Sequence, residues 1–384
     1  MQGAGIFRYL KDAYVFLISF LWPLAFINER GGGGLILFVK YYFIWLLLLV
    51  SFGLLGFVFY STPLFFLISG FRWILLLNAA FGVYILSCIN KIDFCKQKYV
   101  YNIILIISLL QTVMVAFQLS FASHFMGLQL GAARLTGFFN NAGVASFFAV
   151  SITLFCAVLD GISLKKKLFI FLICDFLALA SGTRALTIAI FIVIVFHIYE
   201  MSHNRSKEVK FLINVLISIL FVSSLIVGYQ ILMSQVDRGD AITQQFEQGG
   251  RVSNLISVFS LISSSELLEL LFGRGLGVGS NTAITYLSSL GIDPSQYRFN
   301  ILIDNSFMTS FFQFGLLGSI IFWLGIVFLF FFSRRNIPFE NRLVFRCLSM
   351  IVLLIIISGS PFEHFYLMMS FSFSLGYLCQ FKSI

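Results

Sequence analysis

Charge is what this chain most lacks. Only 11% of its 384 residues are Asp, Glu, Lys or Arg, where a soluble domain carries about a quarter. With 59% hydrophobic residues and a mean hydropathy of +0.98, there is too little polar surface to clothe a water-soluble globule. Lipid is therefore the expected solvent for most of the chain. Cysteine is sparse too: Cys88, Cys95, Cys156, Cys174, Cys347 and Cys379 lie in or beside apolar runs or in a short basic break. No pair has metal-ligand spacing and none falls in the one long hydrophilic segment, which argues against a disulfide framework and a zinc site. The first apolar run, Tyr14 to Ile27, lacks a small-residue cleavage site and leads into more apolar sequence. It reads as a first spanning helix rather than a removed signal.

What is present is a succession of apolar runs. A helix needs about 20 apolar residues to cross the hydrocarbon core, and runs near 100–122, 139–160, 168–181, 184–200, 211–233, 305–332, 343–360 and 365–381 qualify, the shorter ones if tilted or packed inside a bundle. The formal net charge of +9 sits mostly in short breaks between them. One break holds Lys91, Lys96 and Lys98, another Lys165, Lys166 and Lys167, a third Arg205, Lys207 and Lys210, a fourth Arg334, Arg335, Arg342 and Arg346. The alternate breaks are poor in Lys and Arg. By the positive-inside rule the basic breaks are cytoplasmic, and the charge gives no reason to invoke nucleic acid.

The stretch 35–90 is continuous apolar sequence. Two helices there would put the N-terminus outside and three would put it inside. Arg8 and Lys11 favour the inside, and Pro63 and Arg72 offer places to break. The expectation is an all-α polytopic membrane protein with about 11–12 transmembrane helices, twelve preferred, forming a single membrane domain over 1–384 with both ends cytoplasmic. Lys40 and Arg72 then read as snorkelling near helix ends. Residues 234–304 form one long loop on the non-cytoplasmic side. Within it, Val252, Leu255, Ile256, Phe259 and Ile262 follow the 3–4 spacing of an amphipathic helix lying on the bundle or in the interface, which Glu266–Leu271 could extend.

Four features on that side could carry chemistry. Arg134 lies in AARLTGFFNNAG, where a loop meets the next helix. Arg184 follows the tight Ser181-Gly-Thr turn. Arg251 opens the amphipathic helix, and Arg274 sits in the run Phe272-Gly-Arg-Gly-Leu-Gly-Val-Gly-Ser280. Asp304 closes the long loop, with Glu363 and His364 in the last outer turn. Arginine outside runs against the positive-inside bias. It is explained either by an anionic substrate, whose phosphate oxygens the planar guanidinium matches bidentately, or by a lipid-headgroup anchor or an outer carboxylate partner. The glycine run is either a nest of N–H groups for an anion or a turn that needs positive φ angles; it is neither a P-loop nor a dinucleotide fingerprint. Asp304, Glu363 and His364 are candidates for a general base, and the carboxylates equally for ion pairing or N-capping.

These stretches, in this order, resemble the bacterial O-antigen ligase and polymerase families. RLTGFFNNAGVAS resembles their Arg-x-x-Gly-x-Phe-x-Asn stretch, and ALASGTRALTIAI their Ser/Thr-Gly-Ser/Thr-Arg stretch at the mouth of a helix. GGRVSNLISVF followed by LLFGRGLGVGSN resembles their Gly-Arg helix and glycine turn, and DNSFMTSFFQFGLLGSIIF the segment closing the long loop. The resemblance covers about positions 130–330. It implies a metal-independent inverting glycosyltransferase, without cofactor, acting on undecaprenyl-pyrophosphate-linked oligosaccharides at the periplasmic side of the inner membrane, with a chain-length regulator as a candidate partner. Arg134, Arg184, Arg251 and Arg274 would bind substrate, and Asp304, Glu363 or His364 would serve catalysis. Ligases of the family carry His-Asn where this chain has Asp304-Asn305, which favours a Wzy-type O-antigen polymerase over a ligase transferring glycan to lipid A–core. A lipid-linked oligosaccharide flippase is the rival from another class.

Overall fold

Apolar runs with few breaks leave the backbone only one way to satisfy its own N–H and C=O groups in lipid, which is helix. The computed structural model describes residues 3–28, 33–60, 62, 64–90, 94–125, 135, 137–139, 142–181, 184–203, 256, 260, 262–279, 306–358 and 364–379, and among them it contains helices, turns and no strand. The helices are α1 (Gly3–Asn28), α2 (Gly33–Tyr60), α3 (Leu64–Ile89), α4 (Phe94–Phe125), α5 (Ala142–Ala157), α6 (Leu164–Ala180), α7 (Arg184–His203), the short α8 (Leu267–Phe272), α9 (Ser306–Asn336), α10 (Arg342–Ser358) and α11 (Phe365–Leu378). Four stretches within them, 33–59, 64–89, 96–118 and 306–336, are long and apolar enough to cross a membrane. Five shorter apolar helices accompany them. The periphery is apolar: Leu47, Val58, Val113 and Leu324 all point outward, a surface that suits lipid and not water.

Side-chain contacts fix the helix directions. Asp12 meets Arg72, Ser19 meets Leu75 and Trp22 meets Phe81, so α1 and α3 run parallel. Tyr42 reaches Asn78 and Phe38 lies against Tyr84, so α2 is antiparallel to α3. It is also antiparallel to α9, since Trp45 Nε1 donates to Ile321 O at 2.8 Å while Phe38 stacks on Phe332 at 3.8 Å. Phe147 meets His364 and Ser374 Oγ donates to Leu154 O, which makes α5 parallel to α11. Ser146 and Ser181 share a hydrogen bond, setting α6 antiparallel to α5, and the turn at Ser181 sends α7 back. One end of the bundle thus gathers Lys96, Lys98, Lys165–Lys167, Arg334 and Arg335, and is called here the basic end. The opposite end holds the glycine run and is called the glycine end.

This arrangement corrects two expectations. Among the described residues the stretch 35–90 forms two helices, not three: it is interrupted at Thr62, and Arg72 lies inside α3. Arg72 does not end the helix because its guanidinium donates to Asp12 Oδ1 of α1 at 2.8 and 3.2 Å, so it is ion-paired rather than snorkelling. With two helices there, and α1 parallel to α3 and α11, the start of α1 and the end of α11 stand at opposite ends of the bundle. The helix count with both chain ends on one side does not survive. The crossing expected at 211–233 lies outside the described residues. His203 and Leu267 stand at opposite ends.

Packing between helices in lipid rests on close van der Waals fit and hydrogen bonds. At the basic end, Tyr84 Oη lies 3.0 Å from Ser333 Oγ, Gln97 Nε2 donates to Tyr377 Oη at 2.7 Å, and Lys167 Nζ donates to Ala157 O at 3.0 Å, covering a carbonyl at the end of α5. Midway, an apolar groove opens between α2, α3, α9, α10 and α11, lined by aromatic rings such as Tyr42, Phe81 and Phe371.

Candidate functional site

Two assemblies occupy the glycine end. The first is built on α4, whose buried face carries two glutamines one heptad apart. Gln118 Nε2 donates to Gly137 O at 2.9 Å while Gly137 N–H donates to Gln118 Oε1 at 2.8 Å, a reciprocal amide–peptide pair. Phe138 N–H donates to Gln111 Oε1 at 3.0 Å. Gly137 adopts φ +60, and a Cβ there would overlap the Gln111 amide, so only glycine fits beneath the two glutamines. Leu135 N–H donates to Ala180 O at 3.1 Å. That bond joins the RLTGFF stretch to the turn that begins SGTR, though 45 positions separate Leu135 from Ala180. Ser181 Oγ bonds back to Ala178 O at 2.7 Å and across to Ser146 Oγ, pinning the same turn to α5. His364 immediately precedes α11, half-buried, its ring stacked on Phe147 at 3.7 Å.

The second assembly is the glycine run, folded as a strap across α2, α3 and α9. Gly273, Gly275, Gly277 and Gly279 all have positive φ. Leu276 is buried against Gly53 of α2 and Gly70 of α3, where any larger residue would exclude it. A Cβ on Gly277 would overlap Phe66 O. Helix α9 breaks at Gly315 (φ 66, ψ −170), and the strap supplies donors to the carbonyls near the break: Arg274 N–H to Phe312 O at 2.8 Å and Gly275 N–H to Gln313 O at 3.2 Å. Leu276 N–H reaches Gly53 O at 3.4 Å and Val278 N–H reaches Gly275 O at 3.4 Å. Non-helical backbone inside an apolar bundle is tolerated when other protein groups satisfy it in this way. These N–H groups are engaged by protein carbonyls, so the strap is a turn that needs positive φ and not an anion nest.

Arg274 is placed otherwise than expected of a substrate ligand. Its guanidinium is buried, ion-paired with Glu269, donating to Ser265 Oγ at 3.0 Å and lying 5.1 Å from the centre of the Phe312 ring. Its charge is neutralised by the protein, and it braces α8 and the strap against α9. Residues 267–272 do not extend the preceding helical turn either: Ser264 and Ser265 break it, and the extended backbone of Glu266 starts α8 as a separate helix. Of the expected amphipathic helix, Ile256, Ser260, Ile262 and Ser263 are described and all are helical.

Arg184 opens α7, its backbone at the Ser181 turn and its side chain outside the described set. Arg134, Arg251, Asp304 and Glu363 lie outside the described residues. Among the described residues no group of three His, Cys, Asp or Glu is placed to hold a metal ion. Sequence reasoning missed Gln111, Gln118, Ser146 and the α9 break. The glutamines did leave a signal, being polar positions seven apart inside an apolar run. No family model matches the chain, and no curated protein is similar to it.

Proposed function

We propose that this chain is a multi-pass inner-membrane polymerase of lipid-linked O-antigen or similar repeat units, with the glycine end on the periplasmic side. The observation that carries the reading is convergence. Stretches near 137, 181, 276, 306 and 364, scattered over more than half the chain, meet at one end of the bundle, opposite the lysine- and arginine-rich end. The N-termini of α5, α7, α9 and α11 all point to that end, adding partial positive charge where a pyrophosphate would sit. The apolar groove suits a prenyl chain. Its lining carries few polar groups, Ser372 and tyrosine hydroxyls among them, which disfavours passage of a sugar headgroup and hence a flippase.

In the proposed reaction the acceptor sugar hydroxyl attacks the anomeric carbon of the growing glycan. The C–O bond to undecaprenyl pyrophosphate breaks, the pyrophosphate leaves with the bonding pair, and the hydroxyl proton passes to a base drawn from His364, Glu363 or Asp304. Arg134, Arg184 and Arg251 would stabilise the leaving charge, and loss of one such donor commonly lowers the rate about 10²–10³-fold. Arg274 is left out because it is spent on Glu269.

The deciding experiment is a gene deletion read by lipopolysaccharide gel. Loss of a polymerase leaves core bearing one repeat unit, whereas bare core would indicate a ligase or flippase and refute the proposal. Arg251→Lys should fail nearly as badly as Arg251→Ala, because an ammonium cannot reproduce bidentate contact, while the same change at Arg298, an arginine of the 234–304 segment that does not occupy the Gly-Arg position, should be almost silent. Activity of the purified protein should persist in excess chelator.

A further inference from the structure

The half of α9 nearest the glycine end buries polar side chains that the proposed chemistry does not use. Ser306, Thr309, Ser310 and Gln313 are all buried, and their i, i+3, i+4, i+7 spacing places them on one helix face. Ser310 is satisfied, donating to Phe307 O at 2.8 Å and accepting from Trp323 Nε1 at 3.0 Å. Gln313 is different. It is 1% exposed, and among the described residues neither Oε1 nor Nε2 has a hydrogen-bond partner. Ser319 Oγ, four residues beyond Gly315, is likewise buried without one among the described residues.

The break explains Ser319. A helical serine ordinarily bonds back to the carbonyl four residues earlier, and here that residue is Gly315, whose non-helical φ and ψ turn its carbonyl out of the helical direction. Nothing comparable explains Gln313. A leucine or methionine would fill the same space without a buried orphan amide, and buried polar groups in folded proteins are otherwise nearly always bonded. Broken helices in membrane proteins recur where polar ligands are held.

We propose that Gln313, with Ser319 across the α9 break, forms a saccharide subsite that contacts a hydroxyl or acetamido group of the lipid-linked repeat unit. The class of ligand follows from the orphan atoms. Nε2 needs an acceptor and Oε1 needs a donor, and a sugar hydroxyl or acetamido group offers both. A pyrophosphate offers acceptors only, and a prenyl chain offers neither. The hydroxyl side chains of Ser306, Thr309 and Ser310 continue the polar face from Gln313 to the start of α9 at the glycine end. This inference rests on the reading of the substrate as a lipid-linked saccharide.

The test uses full-length protein and the undecaprenyl-pyrophosphate-linked repeat unit that accumulates in the deletion strain. Gln313→Leu should melt at or above the wild-type temperature, since it removes an orphan amide, while KM for the repeat unit rises about tenfold, the loss of two neutral hydrogen bonds. Ser319→Ala, a smaller change, should raise KM by roughly two- to fivefold on the same scale. An unchanged KM in Gln313→Leu would overturn the subsite. A lower melting temperature in that variant would also overturn it, by making Gln313 a packing residue. Failure of the parent reading is distinct: the deletion strain would then show bare core on the lipopolysaccharide gel rather than core bearing one repeat unit.

Discussion

Replacing Arg274 separates a brace from a substrate ligand. Its guanidinium and the Glu269 carboxylate are 3% and 10% exposed, so removing either one leaves the other charge buried and uncompensated. Breaking a buried pair from one side typically costs about 3–5 kcal/mol, whereas replacing both partners with apolar residues of similar volume is often neutral. Arg274→Ala and Glu269→Ala should each lower the melting temperature of the detergent-purified protein clearly, with Arg274→Ala also losing the contact over Phe312 and the bond to Ser265. The pair Arg274→Met with Glu269→Leu should recover most of that loss and restore long-chain product on lipopolysaccharide gels. Tryptophan fluorescence against temperature measures the first quantity, membrane abundance controls for expression, and the gel reads the third. If Arg274→Ala melted like the wild type yet abolished polymer, the guanidinium would be free to act on substrate and the brace would be wrong. Failure of the double variant to restore product despite full stability would point the same way.

Other outcomes follow from the same contacts. Gln118→Leu strips partners from both Gly137 N–H and Gly137 O, about 1–3 kcal/mol for each group left unsatisfied, and should lower both stability and product; a silent Gln118→Leu would mean the pair does not hold the turn. Gly277→Ala places a Cβ against Phe66 O at φ +85 and should sharply reduce folded protein in the membrane, with normal levels refuting the strap's placement. Epitope tags at the two chain ends should report opposite sides of the membrane, as the parallel course of α1 and α11 requires. Asp12→Asn should weaken the hold on Arg72, but both side chains are roughly one-third exposed, so the melting temperature should fall only slightly, in line with about 0–1 kcal/mol for an exposed pair.

Local sequence determined that the chain is helical, where most of its helices lie, and that the glycine run from Gly273 to Gly279 belongs to no helix or strand, because each of these depends on residues close together in sequence. Whether 35–90 holds two helices or three was not local. Arg72 looks like a break until Asp12, 60 positions earlier, neutralises it within α3. The glycine run shows the same limit. Its composition suited an anion nest and a tight turn equally, and the decision lay with Gly53, Gly70 and the carbonyls of Phe312 and Gln313 on three other helices. The sequence left outer arginines such as Arg274 a choice between an anionic substrate and a carboxylate partner, since Glu269 sits in what looked like the continuation of another helix; only the start of α8 as a separate helix brings the two charges together. Gly315 lies in a run apolar enough to continue as helix, and it breaks because the strap provides donors for the carbonyls beside it, an exchange that exists only once distant segments have packed.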